Sequence, residues 1–144
     1  MIRHHHAQEL ELQMRKIAIL MRQNTKSLLA THDITLPQYY ALIQLRDQRL
    51  TMGDLCSRLF LASSTVTDLI DRMESVKLVQ RIRDDQDRRV IRIELLPGGK
   101  AIIDRVVEER LNFLSKRLFK MDDANVDVLM KTVKELQHLM EQQE

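Results

Sequence analysis

The sequence predicts a mainly α-helical fold that contains one small β-hairpin. The chain has 144 residues, of which 44% are apolar, so it has the size of one ordinary domain and can bury a core. It has only three glycines and two prolines, too few for the frequent turns of a β-sandwich or barrel. Apolar residues recur at helical spacings along most of the chain, and the period changes to two only after Lys77.

The composition also excludes several classes of protein. The single cysteine, Cys56, excludes an internal disulfide framework and is typical of a reducing cytoplasm. No apolar run approaches the roughly 18 residues of a membrane helix, and no signal peptide is recognisable at the start of the sequence. We therefore expect a cytoplasmic protein that has no membrane partner.

The charge of the chain is informative only where it is concentrated. A net charge of +2 does not indicate nonspecific binding of nucleic acid. However, basic and acidic side chains alternate in one short segment, which contains Arg81, Arg83, Arg88, Arg89 and Arg92 with Asp84, Asp85 and Asp87 between them. Any basic surface that could bind nucleic acid is therefore small, and the fold must hold its side chains in position.

Residues 8–31 are predicted to form one long helix. Apolar side chains recur there at spacings of three and four, and polar side chains occupy the other face. The residues expected to point inward are Leu10, Met14, Ile17, Met21 and Leu28. The preceding residues 1–7, with the triplet His4, His5 and His6, are expected to be a loose end, either native or the remnant of a tag.

Two threonines mark the starts of the next two helices. Thr35 is an N-cap candidate with Gln38 at the third helical position, which predicts a second helix that runs to about Gln48. Thr51 and Asp54 repeat this pattern and predict a short third helix. The apolar face of this third helix is expected to consist of Leu55, Cys56, Leu59 and Phe60.

A fourth helix is predicted over residues 63–75. Its inward positions at helical spacing are Val66, Leu69, Ile70 and Met73. Its exposed face is expected to carry Ser64, Thr65, Thr67, Asp68, Asp71 and Arg72.

The segment after the fourth helix has the alternation of a β-hairpin. Residues 79–83 and 90–95 are the predicted strands, and the all-polar residues 84–89 form a charged tip. Pro97 ends the hairpin, and two more helices follow. The first covers residues 100–119 with an apolar face of Ile103, Val107, Leu111, Leu114 and Leu118. The second starts at Asp122 and Asp123 with a seam of Val126, Leu129, Val133, Leu136 and Met140.

Two short helices followed directly by a charged hairpin are typical of a winged helix-turn-helix, which places a helix in the major groove of DNA and the hairpin tip beside it. Small hydroxyl side chains at the start of the helix allow close approach to phosphates and base edges. The predicted DNA-contacting residues are Ser63, Ser64, Thr65, Thr67, Asp68, Arg72, Arg81, Asp87, Arg88 and Arg89. The alternative is that the hydroxyls only cap the helix and that the arginines form a solvated face.

From about residue 10 onward, the sequence resembles the MarR family of winged helix-turn-helix transcriptional regulators. The resemblance rests on Leu36–Ile43, Asp54–Leu55, Leu59, Ser64–Thr67, Ile70–Arg72, Leu78–Arg81, Asp87–Arg89 and Leu95–Gly99. The spacing from Arg81 to Asp87–Arg89 is its most specific part. Three departures stand out: Lys77 replaces the usual glycine before the first wing strand, Leu96 replaces the usual capping threonine, and Asp68 lies where relatives carry a basic or neutral residue.

The resemblance implies a homodimer that binds double-stranded DNA in the cytosol of a bacterium or archaeon, in association with the nucleoid. It implies a regulator, expected here to be a repressor, that a small lipophilic or phenolic ligand or oxidation releases from DNA. The resemblance also divides one continuous domain into three regions. These are an N-terminal dimerisation helix over residues 1–34, the DNA-binding region over residues 35–96 and the C-terminal dimerisation helices over residues 97–144. The resemblance places the effector pocket between the dimerisation helices and the winged region, with Met14, Ile17, Met21, His32, Tyr39, Tyr40 and Ile43 as candidate lining residues.

The sequence also bears on enzyme activity, metal binding and redox sensing. No nucleophile and base, phosphate loop or carboxylate pair occurs at usable spacing, so no enzyme activity and no cofactor are expected. Apart from the triplet His4, His5 and His6, the histidines and Cys56 have no metal-ligand spacing within an element, and we expect no metal; a metal-responsive regulator is kept as an alternative. Cys56 leaves a redox-responsive regulator open, although a buried thiol is usually inert. A winged-helix module that binds proteins rather than DNA is the other alternative, and Asp68 points weakly toward it.

Overall fold

The computed structural model describes residues 1–142. Over these residues it contains six helices and three short strands, in the order α1 (Ile2–Thr31), α2 (Leu36–Leu45), β1 (Leu50–Thr51), α3 (Met52–Leu59), α4 (Ser63–Ser75), β2 (Val79–Arg83), β3 (Ile91–Leu95), α5 (Pro97–Leu118) and α6 (Asp123–Glu141). The mainly helical fold with a small antiparallel hairpin is confirmed. The chain divides into two compact units, residues 1–108 and residues 109 onward. None of the helices over the described residues is long and apolar enough to cross a membrane.

Helix α1 begins at Ile2, so the expected loose end over residues 1–7 is wrong. The His5 N–H donates to the Met1 carbonyl at 3.2 Å and closes the first turn. Residues 2–9 contain no glycine or proline, and a long helix that is already nucleated extends into such a segment at little cost. The helix ends where Asp33 adopts a φ of 55° and the Ile34 N–H donates to the Leu29 carbonyl at 3.1 Å.

Both predicted threonine caps are present. The Gln38 N–H donates to Thr35 Oγ1 at 3.3 Å, and the Thr35 N–H donates to Gln38 Oε1 at 3.0 Å. Thr51 and Asp54 exchange the same two hydrogen bonds, both at 3.1 Å. These reciprocal bonds satisfy amide groups that the first turn of a helix leaves unpaired, and they fix where α2 and α3 begin.

Helix α2 ends at Leu45 rather than near Gln48, and the reason is a strand that the sequence analysis missed. Leu50 pairs with Ile93 in the antiparallel sheet, so the chain must leave the helix early enough to reach β3. A two-residue strand has no periodicity that a sequence pattern can reveal. The sheet has the strand order β1-β3-β2, with Val79 opposite Leu95 and Arg83 opposite Ile91.

The core of the first unit lies between α2, α3, α4 and the sheet. The four inward positions predicted for α4 are all buried, and they pack in one cluster with Leu42, Leu55 and Ile93. Helix α5 begins at Pro97, earlier than the predicted residue 100. Gly99 makes this start possible, because a Cβ at that position would lie 2.4 Å from the Leu78 carbonyl oxygen.

Phe60 does not belong to the apolar face of α3, contrary to the prediction. The helix ends at Leu59, and Phe60 adopts a left-handed conformation with φ of 54° that turns the chain toward α4. As a result its side chain is 93% exposed, while Cys56 and Leu59 are half-buried against the core.

Large apolar side chains on the long helices remain uncovered in the single chain. On α1 the residues Leu10, Met14 and Ile17, which were predicted to point inward, are exposed, and burial begins only near Thr25. In the second unit, the α5 residues Leu111 and Leu114 and the α6 residues Leu129, Val133 and Met140 are exposed as well, while Leu118, Val126 and Leu136 are half-buried. Within one chain, therefore, the seam predicted on α6 is only partly covered.

Candidate nucleic-acid interface

The first part of the site is the exposed face of α4. Ser63, Ser64, Thr65 and Thr67 are all exposed, whereas the residues on the opposite side of the helix are buried. The N-cap is Ala62, and it makes no side-chain hydrogen bond to the first turn. The hydroxyls therefore do not serve as the N-cap. The Thr67 hydroxyl donates to the Ser63 carbonyl at 2.9 Å, and those of Ser63, Ser64 and Thr65 face solvent with the unpaired first-turn amides.

Farther along α4, Asp68 and Arg72 form an ion pair one turn apart. Arg72 Nε lies 3.3 Å from Asp68 Oδ2, and both side chains are exposed. Because the pair is exposed, it contributes little to stability and either side chain can exchange this partner for another. Asp68 therefore offsets the charge of Arg72, the one basic residue of α4, without holding its side chain in a fixed position.

Arg81 connects the wing, which is the hairpin of β2 and β3 over residues 79–95, to α4. Its guanidinium donates to Asp71 Oδ1 at 2.6 Å and to Glu74 Oε1 at 2.8 Å, and its backbone N–H donates to Glu74 Oε2 at 2.8 Å. The Arg81 side chain is only 27% exposed. Of the predicted contact residues, Arg81 is thus held by internal partners instead of extending from the surface.

The tip of the wing is organised around the carboxylate of Asp84. Asp84 Oδ2 accepts hydrogen bonds from the N–H groups of Gln86 at 3.2 Å and Asp87 at 3.0 Å, and Arg92 Nε donates to Asp84 Oδ1 at 2.8 Å. The bond from Arg92 and then that from the Asp87 N–H hold the pKa of Asp84 below its ordinary value. The tip is therefore a defined turn between β2 and β3.

At the end of this turn, Asp87 holds Arg89. Asp87 Oδ1 accepts from both the backbone N–H and Nε of Arg89, and Oδ2 accepts from Nη2, all at 3.1 Å. The side-chain bond to Arg89 is the main reason that the pKa of Asp87 is lowered. The Arg89 side chain is nevertheless 90% exposed. Arg88 is exposed too, and its carbonyl accepts from Arg83 Nη1 at 3.0 Å.

Sequence reasoning missed the residues that support this surface: Glu74, Asp84 and Arg92 were not among the predicted site residues. A signal for Asp84 exists, because an Asp that precedes polar residues at the end of a strand often caps the N–H groups of the following turn. The partner of Glu74 is Arg81, seven residues away on β2, so this pair depends on the packing of the hairpin against α4. The partner of Arg92 is Asp84, eight residues away in the same hairpin, so this pair depends on the register of β2 and β3.

A groove of about 810 Å³ lies between α1 and α2. It is lined by Ile19, Arg22, Gln23, Lys26, Ala30, Ile34, Thr35, Leu36, Pro37 and Tyr40. Of the residues predicted for an effector pocket, only Tyr40 lies here. Tyr39 is buried in the core, Met14 and Ile17 are exposed, and Met21, His32 and Ile43 are half-buried elsewhere. The groove therefore uses another face of α1, one that carries two cationic side chains.

The histidines, carboxylates and the thiol of Cys56 bear on a metal-responsive or redox-responsive function. Over residues 1–142, no group of three His, Cys, Asp or Glu side chains is arranged to hold a metal ion. Cys56 is a free thiol, half-buried on α3.

Comparison with known proteins gives the same family as the residue pattern. The model of the MarR family matches residues 32–90. The chain is 38% identical to the uncharacterized HTH-type transcriptional regulator YsmB of Bacillus subtilis, over 94% of this chain and 93% of that protein.

Two solved structures share the fold over nearly the whole chain. A MarR family protein from Bacillus stearothermophilus is 37% identical with a TM-score of 0.82, and the match covers 96% of this chain and 97% of that one. The transcriptional regulator Tm0710 from Thermotoga maritima is 28% identical with a TM-score of 0.85, and the match covers 93% and 95% of the two chains. The chain described here therefore belongs to the MarR family, whose members are transcriptional regulators and not enzymes.

Proposed function

We propose that the protein is a sequence-specific repressor that binds a pseudo-palindromic operator as a homodimer and is released by a small lipophilic or phenolic ligand. The observation that carries the proposal is the combination of an exposed hydroxyl row on α4 with an arginine held at the tip of the wing. Regulators of the MarR family bind DNA and form dimers, which makes DNA the first ligand to test.

Helix α4 has the chemistry needed for the major groove. Ser64 and Thr65 can donate to and accept from base edges, Thr67 can accept while its hydroxyl donates to the Ser63 carbonyl, and the amides of the first turn favour a phosphate. Arg72 can bind a guanine or a phosphate once it leaves Asp68. Asp68 can accept a hydrogen bond from a cytosine amine, which disfavours other bases at the same position. The balance of these groups supports selective binding more than tight nonspecific binding.

The wing supplies the second contact. The three hydrogen bonds from Arg89 to Asp87 restrict the guanidinium before DNA arrives, so less side-chain entropy is lost on binding. A narrow minor groove concentrates negative potential and attracts an inserted arginine. We infer that Arg89 enters the minor groove beside the major groove that α4 occupies.

The dimer is inferred from the apolar surface that each unit leaves uncovered. Leu10, Met14 and Ile17 on α1 are exposed, and so are Val133 and Met140 on α6. Apolar surface of this extent is unfavourable in water, and a second copy of the chain provides the same surface for mutual burial. Two copies related by a two-fold axis then present two α4 helices to two half-sites about one helical turn apart.

Release from DNA requires a ligand that binds one spacing of the two wings better than another. The groove between α1 and α2 is the site we propose for it, because its apolar wall accepts a lipophilic ring. Arg22 and Lys26 in the same groove favour an acidic substituent. A lipophilic acid or phenol is therefore the class of effector that this groove supports.

Selection of bound duplexes from random DNA at physiological salt tests the proposed function. The wild-type protein should enrich a pseudo-palindrome, and the Arg89→Ala variant should enrich the same sequence weakly. Equal binding of all duplexes would contradict sequence specificity, and binding of none would instead support a winged-helix module that binds proteins.

A further inference from the structure

Phe60 occupies an unusual position between α3 and α4. Its backbone φ is 54°, in the left-handed region, and its N–H donates to the Cys56 carbonyl to close α3. This type of helix end favours glycine, because a side chain in this conformation is strained. The ring is 93% exposed, so contacts within the chain do not compensate for the strain.

The surroundings of Phe60 point to DNA rather than to an apolar protein partner. Within Met52–Ser75, Phe60 is the one large apolar side chain that is exposed. Among the residues next to it in the sequence, Leu59 and Leu61 are half-buried and Ala62 is small, whereas Ser57, Arg58 and Ser63 are exposed and polar. No acidic residue occurs between Asp54 and Asp68. An isolated ring in a polar, non-acidic setting does not form an apolar docking patch, but it suits a surface rich in phosphate.

The position of the ring along the chain is set by α4. Phe60 is three residues ahead of Ser63, and three residues span at most about 10 Å. When the start of α4 enters the major groove, Phe60 therefore lies at the edge of that groove. The large apolar group that the major groove presents there is the 5-methyl group of thymine, and a phenylalanine ring is a suitable partner for it.

We propose that Phe60 is a specificity-determining residue that contacts a thymine methyl group at one position of each half-site. This inference rests on the proposed DNA-binding function and adds a base preference to it. Burial of one methyl group against the ring predicts an effect of about three- to fivefold in affinity at that position.

Replacement of thymine by deoxyuridine isolates the contact, because only the methyl group is removed. The probe is a duplex that the wild-type protein has selected from random DNA, with each thymine of a half-site replaced in turn. One replacement should weaken binding of wild type about three- to fivefold and should leave binding of Phe60→Gly unchanged. Phe60→Gly should also fold well and melt at a higher temperature, since glycine relieves the left-handed strain.

Lys77→Gly is the matched control. Lys77 also has a left-handed backbone, with φ of 60°, at the other end of α4. This variant should gain stability in the same way but retain the full effect of thymine demethylation.

Two results would overturn the proposal. The first is that no thymine replacement weakens DNA binding by the wild-type protein more than it weakens DNA binding by the Phe60→Gly variant. The second is that both proteins select the same sequence and bind it with equal affinity. Either result would leave the proposed function intact as long as the wild-type protein enriches a palindrome. If the wild-type protein selects no duplex, both the proposed DNA-binding function and the proposed role of Phe60 are wrong.

Discussion

Glu74 near the end of α4 holds Arg81 of β2 at two points: its carboxylate accepts from the Arg81 backbone N–H and from the guanidinium, both at 2.8 Å. Asp71, one turn earlier on the same helix, accepts a further bond from Arg81 at 2.6 Å. Because one of the bonds to Glu74 comes from the backbone, the wing strand is tied directly to the helix. The two elements that we propose contact DNA are therefore fixed relative to each other by Arg81, whose side chain is only 27% exposed.

This network predicts that Arg81 acts by positioning the wing. Arg81→Ala should lower the free energy of unfolding by about 1–2 kcal/mol, because two charge-assisted bonds are lost at a partly exposed site. Denaturant unfolding measures this value. Arg72→Ala, on the exposed face of α4, is the control and should change stability by less than about 0.5 kcal/mol. A stability of Arg81→Ala equal to that of wild type, combined with a loss of DNA binding, would instead make Arg81 a direct contact.

The hydrogen bonds from Arg89 to Asp87 at the wing tip predict unequal roles for the neighbouring residues Arg88 and Arg89. Arg89→Ala should weaken binding to the selected duplex by at least about fivefold, which is about 1 kcal/mol, without lowering the melting temperature. Arg88→Ala removes the same charge from an adjacent residue that Asp87 does not hold by its side chain, and it should cost less. Titration of both variants by fluorescence anisotropy checks the difference. Equal and small losses would favour a solvated face.

Exposed apolar residues on α6 predict that the folded protein is a dimer. Val133→Glu places a charge in the seam of α6 and should shift sedimentation toward a monomer or an unfolded chain. Lys131→Glu, on the opposite side of the same helix, adds the same acidic group outside the seam and should sediment like wild type. A stable folded monomer of the wild-type protein at micromolar concentration would contradict the prediction.

The groove between α1 and α2, which carries Arg22 and Lys26, predicts a link between ligand binding and DNA release. An aromatic acid that binds between α1 and α2 should raise the melting temperature and weaken operator binding by linked amounts. Arg22→Ala should reduce both responses to aromatic acids and affect neutral phenols less. Arg15→Ala, which removes an arginine of α1 that pairs with Glu11 outside the groove, is the matched control. If a broad panel of acids and phenols changes neither quantity, regulation through this groove is wrong.

Those parts of the fold that depend on local signals could be predicted from the sequence. The reciprocal bonds of Thr35 and Thr51 each need only residues three positions apart, and the inward face of α4 needs only a helical period. The alternation after Lys77 likewise predicted the hairpin, whose register places Arg81 opposite Ile93.

The parts that could not be predicted depend on tertiary packing or on single dihedral angles. Phe60 fits an apolar helical face in the sequence, but the helix ends one residue earlier and the left-handed turn exposes the ring. Arg81 belongs to a cluster of charges in the sequence, and only the packing of β2 against α4 shows that Glu74 holds it. The face of α1 that lines the groove with Arg22 and Lys26 is polar by pattern, so apolar periodicity selected the opposite face.

The spacing of the two half-sites tests most directly whether the protein reads DNA as a symmetric dimer. The measurement is the dissociation constant for the selected duplex and for the same duplex with five base pairs inserted between the half-sites. Five base pairs rotate one half-site by about half a turn, so the second α4 helix and its wing face the wrong side of the DNA. The dimer predicts that the insertion reduces affinity to that for unrelated DNA. An unchanged dissociation constant would contradict it.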